Sequence, residues 1–184
     1  MTVSLMLLWL PILVSAVVVF VASSAIWMLL QYHNSDWRKL PDEEAVRAAL
    51  KATTPGQYSV PNAASSADRK DPEWQEKYKQ GPAAMLVVFP HGSLAMGKQL
   101  TQWFTYCVAI SLLVAYVASI TLPTGADYLY VFRIAGTVAV LAYAGAAPMR
   151  SIWFGYRWSA KAKDVLDGVI YGLLTAGVFG WLWP

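Results

Sequence analysis

Asp164-Val-Leu-Asp-Gly-Val-Ile-Tyr-Gly-Leu-Leu-Thr-Ala-Gly-Val-Phe-Gly-Trp-Leu-Trp-Pro184 decides the architecture. Gly168, Gly172, Ala176 and Gly180 recur every four residues, so on a helix they form one stripe of small side chains. Lipid tails are as apolar as leucine and give helices no hydrophobic reason to associate. Membrane helices therefore meet through close van der Waals contact, which stripes of small residues permit. The segment reads as the packing spine of a membrane bundle rather than a flexible apolar tail or a stripe turned to lipid.

Outward from this spine the composition agrees. The 184 residues are 57% hydrophobic and 14% charged, against about 25% charged in ordinary soluble domains. Residues 3–30 contain no ionisable side chain. At about 1.5 Å per residue they reach about 42 Å, more than the roughly 30 Å hydrocarbon core, so the helix tilts, protrudes or bends, with Pro11 the place to bend. The apolar run is too long for a leader's h-region and has no basic n-region, so it reads as a retained span. Residues 97–122, 127–147 and 164–183 make three further spans. The fold class expected is an all-α membrane protein: a four-transmembrane-helix bundle with a small cytoplasmic α/β insert between helices 1 and 2. Its divisions are a first helix over 1–32, a polar insert over 33–98, and helices 2–4 over 99–184 with an interfacial connection at 148–163.

Within the insert, residues 40–51 read as a helix with proline and acids in its first turn, and 71–79 as a second with Pro72 at its start. Residues 57–60 and 85–89 read as strands that pair, the competing reading of 85–89 being a dip into the membrane. Residues 62–70 read as a loose loop. The insert is too small for a substantial core of its own.

Basic residues near span ends mark the cytoplasmic side. Arg38, Lys39 and Lys98 flank the insert, and Arg150, Arg157, Lys161 and Lys163 lie between the third and fourth spans, while the 123–126 connection has none. The insert is therefore expected in the cytoplasm, with both termini outside. Tyr128, Tyr130, Trp181 and Trp183 form an outer aromatic belt, and Trp27, Trp103, Trp153 and Trp158 an inner one. The stretch 150–163 interleaves basic and aromatic residues, so it is expected along the inner headgroup layer, drawn to anionic lipid. Beside two spans, that mixture does not point to nucleic acid.

Few residues suggest chemistry. Arg133 sits about a turn and a half inside the third span. It either snorkels to the outer surface, with Asp127 or a carbonyl as partner, or binds an anionic headgroup, a quinone oxygen or a partner's carboxylate. Asp167 is a candidate for handling a proton or ion, against the plainer reading that Asp164 and Asp167 complement a helix dipole. His91, Met96 and Cys107 suggest a soft-metal set, but the spacing from His91 to Cys107 does not let them share an ion. His33 is too isolated to complete it. Cys107 has no basic partner at helical spacing and reads as a small buried residue. No CxxC, HExxH, P-loop, Ser/His/Asp or paired-carboxylate arrangement occurs, so no catalytic residue, metal or cofactor is assigned.

Several stretches together resemble a family of bacterial inner-membrane proteins with no assigned activity. They are His33-Asn-Ser-Asp-Trp37, Lys39-Leu-Pro-Asp-Glu-Glu-Ala-Val46, Pro55-Gly-Gln-Tyr58, Met96-Gly-Lys98 and Trp103-Phe-Thr-Tyr-Cys107. Val131-Phe-Arg-Ile-Ala-Gly-Thr-Val-Ala139, Ser151-Ile-Trp-Phe-Gly155 and the closing segment from Asp167 complete the set. The resemblance implies a four-span protein of the bacterial inner membrane and supplies no catalytic residue. The family carries an extra proline near Pro55 and a proline-rich run where His91-Gly-Ser stands here, so His91 is not a general functional residue of it. The leading functional expectation is a non-catalytic subunit or scaffold of a larger membrane complex, or a homo-oligomer. The alternative is a small transporter or lipid- or quinone-binding protein using Arg133 and Asp167.

Overall fold

A computed structural model of the chain describes residues 3–92 and 95–184. It forms two compact units, 1–38 with 95–184, and 39–94. The boundary at residue 38 lies six residues beyond the end of the first span as read from sequence, because 33–38 folds with the helices rather than with the insert.

The first unit holds four helical runs long and apolar enough to cross a membrane: Leu5–Leu30, Gly97–Thr121, Tyr128–Phe154 and Trp158–Trp181. The first run is not uniform. A 3-10 turn over Leu5–Leu8 leads into α1 (Trp9–Ala25), and a π turn over Ile26–Leu30 follows. Pro11 lies in the first turn of α1, where amide hydrogens have no partner within the helix, so its missing N–H costs no α-helical bond. The departures from α geometry fall at Leu5–Leu8, just ahead of Pro11, and at Ile26–Leu30.

In the second unit α2 (Glu43–Leu50) starts where the Asp42 carboxylate accepts the Ala45 N–H at 2.9 Å. β1 (Gly56–Val60), α3 (Pro72–Gln80) and β2 (Ala84–Val88) follow. Asp71 caps α3 by accepting the Glu73 N–H, and Lys77 pairs with Glu73 one turn on. β1 and β2 are antiparallel, with Tyr58 opposite Leu86 and Ser59 opposite Met85. From Lys39 to Gly92 no described residue is buried.

The second span is α4 (Gly97–Thr121). The third is α5 (Tyr128–Ala144), extended after a short turn by α6 (Ala147–Phe154), which ends at Gly155 with φ of 69°. The fourth is α7 (Trp158–Trp181), which begins six residues before the expected start. Asp164 and Asp167 therefore lie in its second and third turns, beyond the reach of the N-terminal dipole, and the capping reading of them is corrected. The second half of the 148–163 connection is likewise helix.

α5 and α7 make the most extensive contact between any two elements. The stripe on α7 explains it. A Cβ built on Gly168 would lie 2.8 Å from the Ala144 backbone, and one on Gly172 would lie 2.9 Å from the Val140 nitrogen. Ala176 meets Gly136, and a Cβ on Gly180 would fall 2.7 Å from the Tyr128 ring. Val114, Ala118, Val131, Ala135 and Phe179 fill the core on the other side of this seam. A polar contact ties α1 to α4: the Ser15 hydroxyl donates to Ser111 at 2.9 Å.

Candidate functional site

The π turn at the end of the first span creates the site. Its last N–H bond runs from Gln31 back to the Ile26 carbonyl at 3.1 Å, and Gln31 adopts a left-handed conformation with φ of 51°. A left-handed residue that is not glycine is uncommon and costs energy that other contacts must offset. The chain reverses there, and a 3-10 turn over Tyr32–Asp36 lies against α7.

His33 is the centre of what this reversal assembles. Its ring is 3% exposed and stacks face to face on Trp27, with centroids 4.1 Å apart and planes 2° apart. Nδ1 lies 2.9 Å from the Asp36 carboxylate, and Nε2 lies 3.0 Å from the Asp167 carboxylate on α7. Asp167 is itself 4% exposed, and its other oxygen accepts the Tyr32 hydroxyl. Lys163, one turn before Asp167, donates to Asp36 at 2.6 Å, to the Ser35 hydroxyl at 2.7 Å and to the Tyr32 carbonyl at 2.8 Å. Lys161 pairs with Asp164, whose carboxylate stands 4.0 Å from His33 Nδ1. Arg157 donates to the Ser35 carbonyl at 3.3 Å.

The electrostatics follow from these contacts. The Lys163 ammonium, helped by the His33 ring, holds the Asp36 carboxyl below its ordinary range despite burial. The Tyr32 phenol is pushed up, first by burial and then by the Asp167 carboxylate it donates to. Behind Asp167 an aromatic tier closes the site toward the bundle interior: Tyr171 packs edge-on to Tyr143 at 5.6 Å, and Trp103 lies 6.2 Å from Tyr171. Trp103 donates its indole N–H to Ser23 at 2.8 Å, so it joins α4 to α1.

The other residues singled out from sequence fall elsewhere. Arg133 is exposed on the flank of α5, and among the described residues its guanidinium has no hydrogen-bond or ion-pair partner, Asp127 included. Arg150 and Arg157 are exposed, and Arg150 and Lys161 both lie over the Tyr156 ring. The Lys163 ammonium has three protein acceptors and none of its donors left over. Cys107 is buried and His91 is exposed. Among the described residues no three His, Cys, Asp or Glu side chains are arranged to hold a metal ion.

Sequence reasoning picked out Asp167 but missed its partners. His33 and Asp167 stand 134 positions apart, and no local pattern announces that the chain turns back after a span. The available signal was compositional: a Tyr-His pair and an Asp just past a helix that had no charge, facing a Lys and two Asp at the matching end of another. No family model, no curated protein and no solved structure matches the chain.

Proposed function

We propose that the protein is a non-catalytic membrane subunit or scaffold, anchored by four spans and presenting its 39–94 unit to a protein partner. The observation that carries this reading is the state of that unit. It is folded into two helices and a hairpin, yet none of its described residues is buried. Met85, Val87 and Phe89 alternate along one strand face and its continuation, and are 62%, 55% and 75% exposed. Apolar side chains grouped on one face in water mark a docking surface more often than they occur by accident. Photo-crosslinking from position 87 in native membranes, followed by purification in mild detergent, tests it. A defined partner, lost in a V87D/F89D variant, is the expected result; a clean monomer without crosslinked protein overturns the reading.

The setting proposed is a bacterial inner membrane, with the 39–94 unit cytoplasmic and both termini periplasmic. Support comes from the basic residues at 38, 39, 98, 150, 157, 161 and 163 against none in the 123–126 connection. Because Cys107 is buried, a single added cysteine reports cleanly. Ser66→Cys should be protected from an impermeant alkylating reagent in sealed cells, and labelling from outside reverses the topology.

A second reading, a small transporter or lipid- or quinone-binding protein, draws on two observations. Arg133 is a cation inside a span with no ion-pair partner among the described residues, and an open apolar groove of about 580 Å³ runs between α1, α5 and α7, lined by Val18, Tyr128, Phe132, Leu173 and Trp181 among others. On this reading Arg133, Arg150 and Arg157, all exposed, would meet anionic headgroups. Arg133→Gln in liposomes should reduce ligand binding or flux on this reading; unchanged behaviour removes it.

A further inference from the structure

We infer that the pocket around His33 is a proton-binding site, and that the segment 31–36 stays docked on α7 only while the site holds its proton. The inference rests on hydrogen-bond bookkeeping among buried groups and goes beyond the scaffold reading without depending on it.

Each ring nitrogen of His33 faces a carboxylate oxygen, at 2.9 Å and 3.0 Å. A neutral imidazole has one N–H and one bare nitrogen, and a carboxylate only accepts. One of the two contacts would then set a lone pair against a lone pair in a site that is 3% exposed. The remaining carboxylate oxygens offer no escape, since Asp167 Oδ1 already accepts from Tyr32 and Asp36 Oδ1 from Lys163. Both contacts are satisfied only when the site carries one proton more than a neutral ring between two carboxylates. That proton also balances the charge: Asp36 and Asp167 face Lys163 and the protonated ring, while Asp164 closes on Lys161.

The groups facing His33 from each neighbouring element are accounted for. Tyr32 and Asp36 come from its own turn, and Trp27 from the π turn. Lys163, Asp164 and Asp167 come from α7, with Lys161 behind Asp164. Tyr171, Tyr143 and Cys107 are the next titratable groups inward. Loss of the proton as pH rises leaves a buried carboxylate facing a bare nitrogen, and unsatisfied buried acceptors are costly. What opposes release is the Lys163 and Arg157 contacts to the same turn. What release frees is the turn itself: six residues, about 20 Å of chain when extended, are added to the connection that leads into the 39–94 unit. A proton is thereby coupled to the length of free chain between the first span and residue 39.

The test uses the full chain in lipid nanodiscs, labelled with nitrogen-15 histidine and carrying His91→Gln so that His33 alone reports. At about pH 7 both ring nitrogens should show attached protons. One protonated and one bare nitrogen, with the turn still docked and the Asp36 and Asp167 carboxyls both ionised by their carbon-13 shifts, overturns the inference. Hydrogen exchange of the 31–37 amides, corrected for its intrinsic pH dependence, should rise at least about tenfold between about pH 6 and about pH 10, while the amides of α4 stay unchanged. Asp167→Asn should move that step to lower pH, and His33→Gln should abolish it. A step unmoved by either substitution, or no step in the parent, overturns the inference. If either variant fails to fold, the nitrogen spectrum of the parent decides.

Discussion

Lys163 shows how much one side chain carries at the end of this bundle. Its ammonium has three hydrogen-bond directions, and the Tyr32 carbonyl, the Ser35 hydroxyl and the Asp36 carboxylate take one each. Lys163→Met keeps the aliphatic stem and leaves all three acceptors short of a donor. Breaking a buried pair costs about 3–5 kcal/mol, but Lys163 and Asp36 retain 25% and 12% side-chain exposure, so water recovers part of it. The expected loss is about 1–3 kcal/mol, read as a lowered unfolding midpoint in detergent. Asp36 adds a pH dependence of definite sign. Its carboxyl is held below the ordinary 3.8 by Lys163 and His33, so its stabilisation is fully present above 3.8 and disappears as pH falls through the lower folded value. Exchange of the 31–37 amides should accelerate in that acid window, and Asp36→Asn should be insensitive there. Together with loss of the His33 proton at high pH, docking of the turn is bounded on both sides. Of this cluster only Asp167 stood out from sequence, where Lys163 read as a lipid-facing cation and His33 as isolated. Hydropathy follows one helix at a time and does not report that a π turn and a left-handed Gln31 fold the chain back.

Among the elements, the seam between α5 and α7 was the most legible feature, and the reason is physical. Close helix approach in lipid needs missing side chains, and missing side chains are visible in a sequence. The glycines are not equivalent, however. A methyl at Gly168 or Gly172 would meet helix backbone at 2.8–3.0 Å, which cannot rotate away, whereas one at Gly177 would meet only the Tyr128 hydroxyl at 3.8 Å. Gly168→Ala and Gly172→Ala should each cost about 1–3 kcal/mol through forced separation of α5 and α7. Gly177→Ala should be neutral or slightly stabilising, because alanine is the better helix former. Denaturant titration of the three variants in the same micelle distinguishes them, and equal effects would remove the close-approach account. The paired strands of the insert were also legible, through β-branched runs bounded by Pro and Gly. The start of α7 was not. Basic and aromatic residues at 157–163 look interfacial in composition, while the contacts of Lys161 and Lys163 show them built into the helix.

At the scale of the molecule, the two units contrast in how they are held together. The four-span unit has a core in which Val114, Ala118, Val131, Ala135 and Phe179 are excluded from solvent. The 39–94 unit has caps, ion pairs and a two-stranded ladder, but no described residue below the surface. A two-stranded hairpin is marginal in water, and chains of this length need a covered apolar face to be stable. The isolated 39–94 segment should therefore melt broadly, without the cooperative transition of a domain that has its own core, when followed by circular dichroism. A sharp transition would mean that the unit needs nothing beyond itself and would weaken the case that Met85, Val87 and Phe89 await a partner. Conversely, replacing 39–94 with a short flexible linker should leave the unfolding of the four-span unit within about 1 kcal/mol of the parent, since that unit has its own buried core. Only the crosslinked partner should be lost. That outcome would separate anchoring from docking.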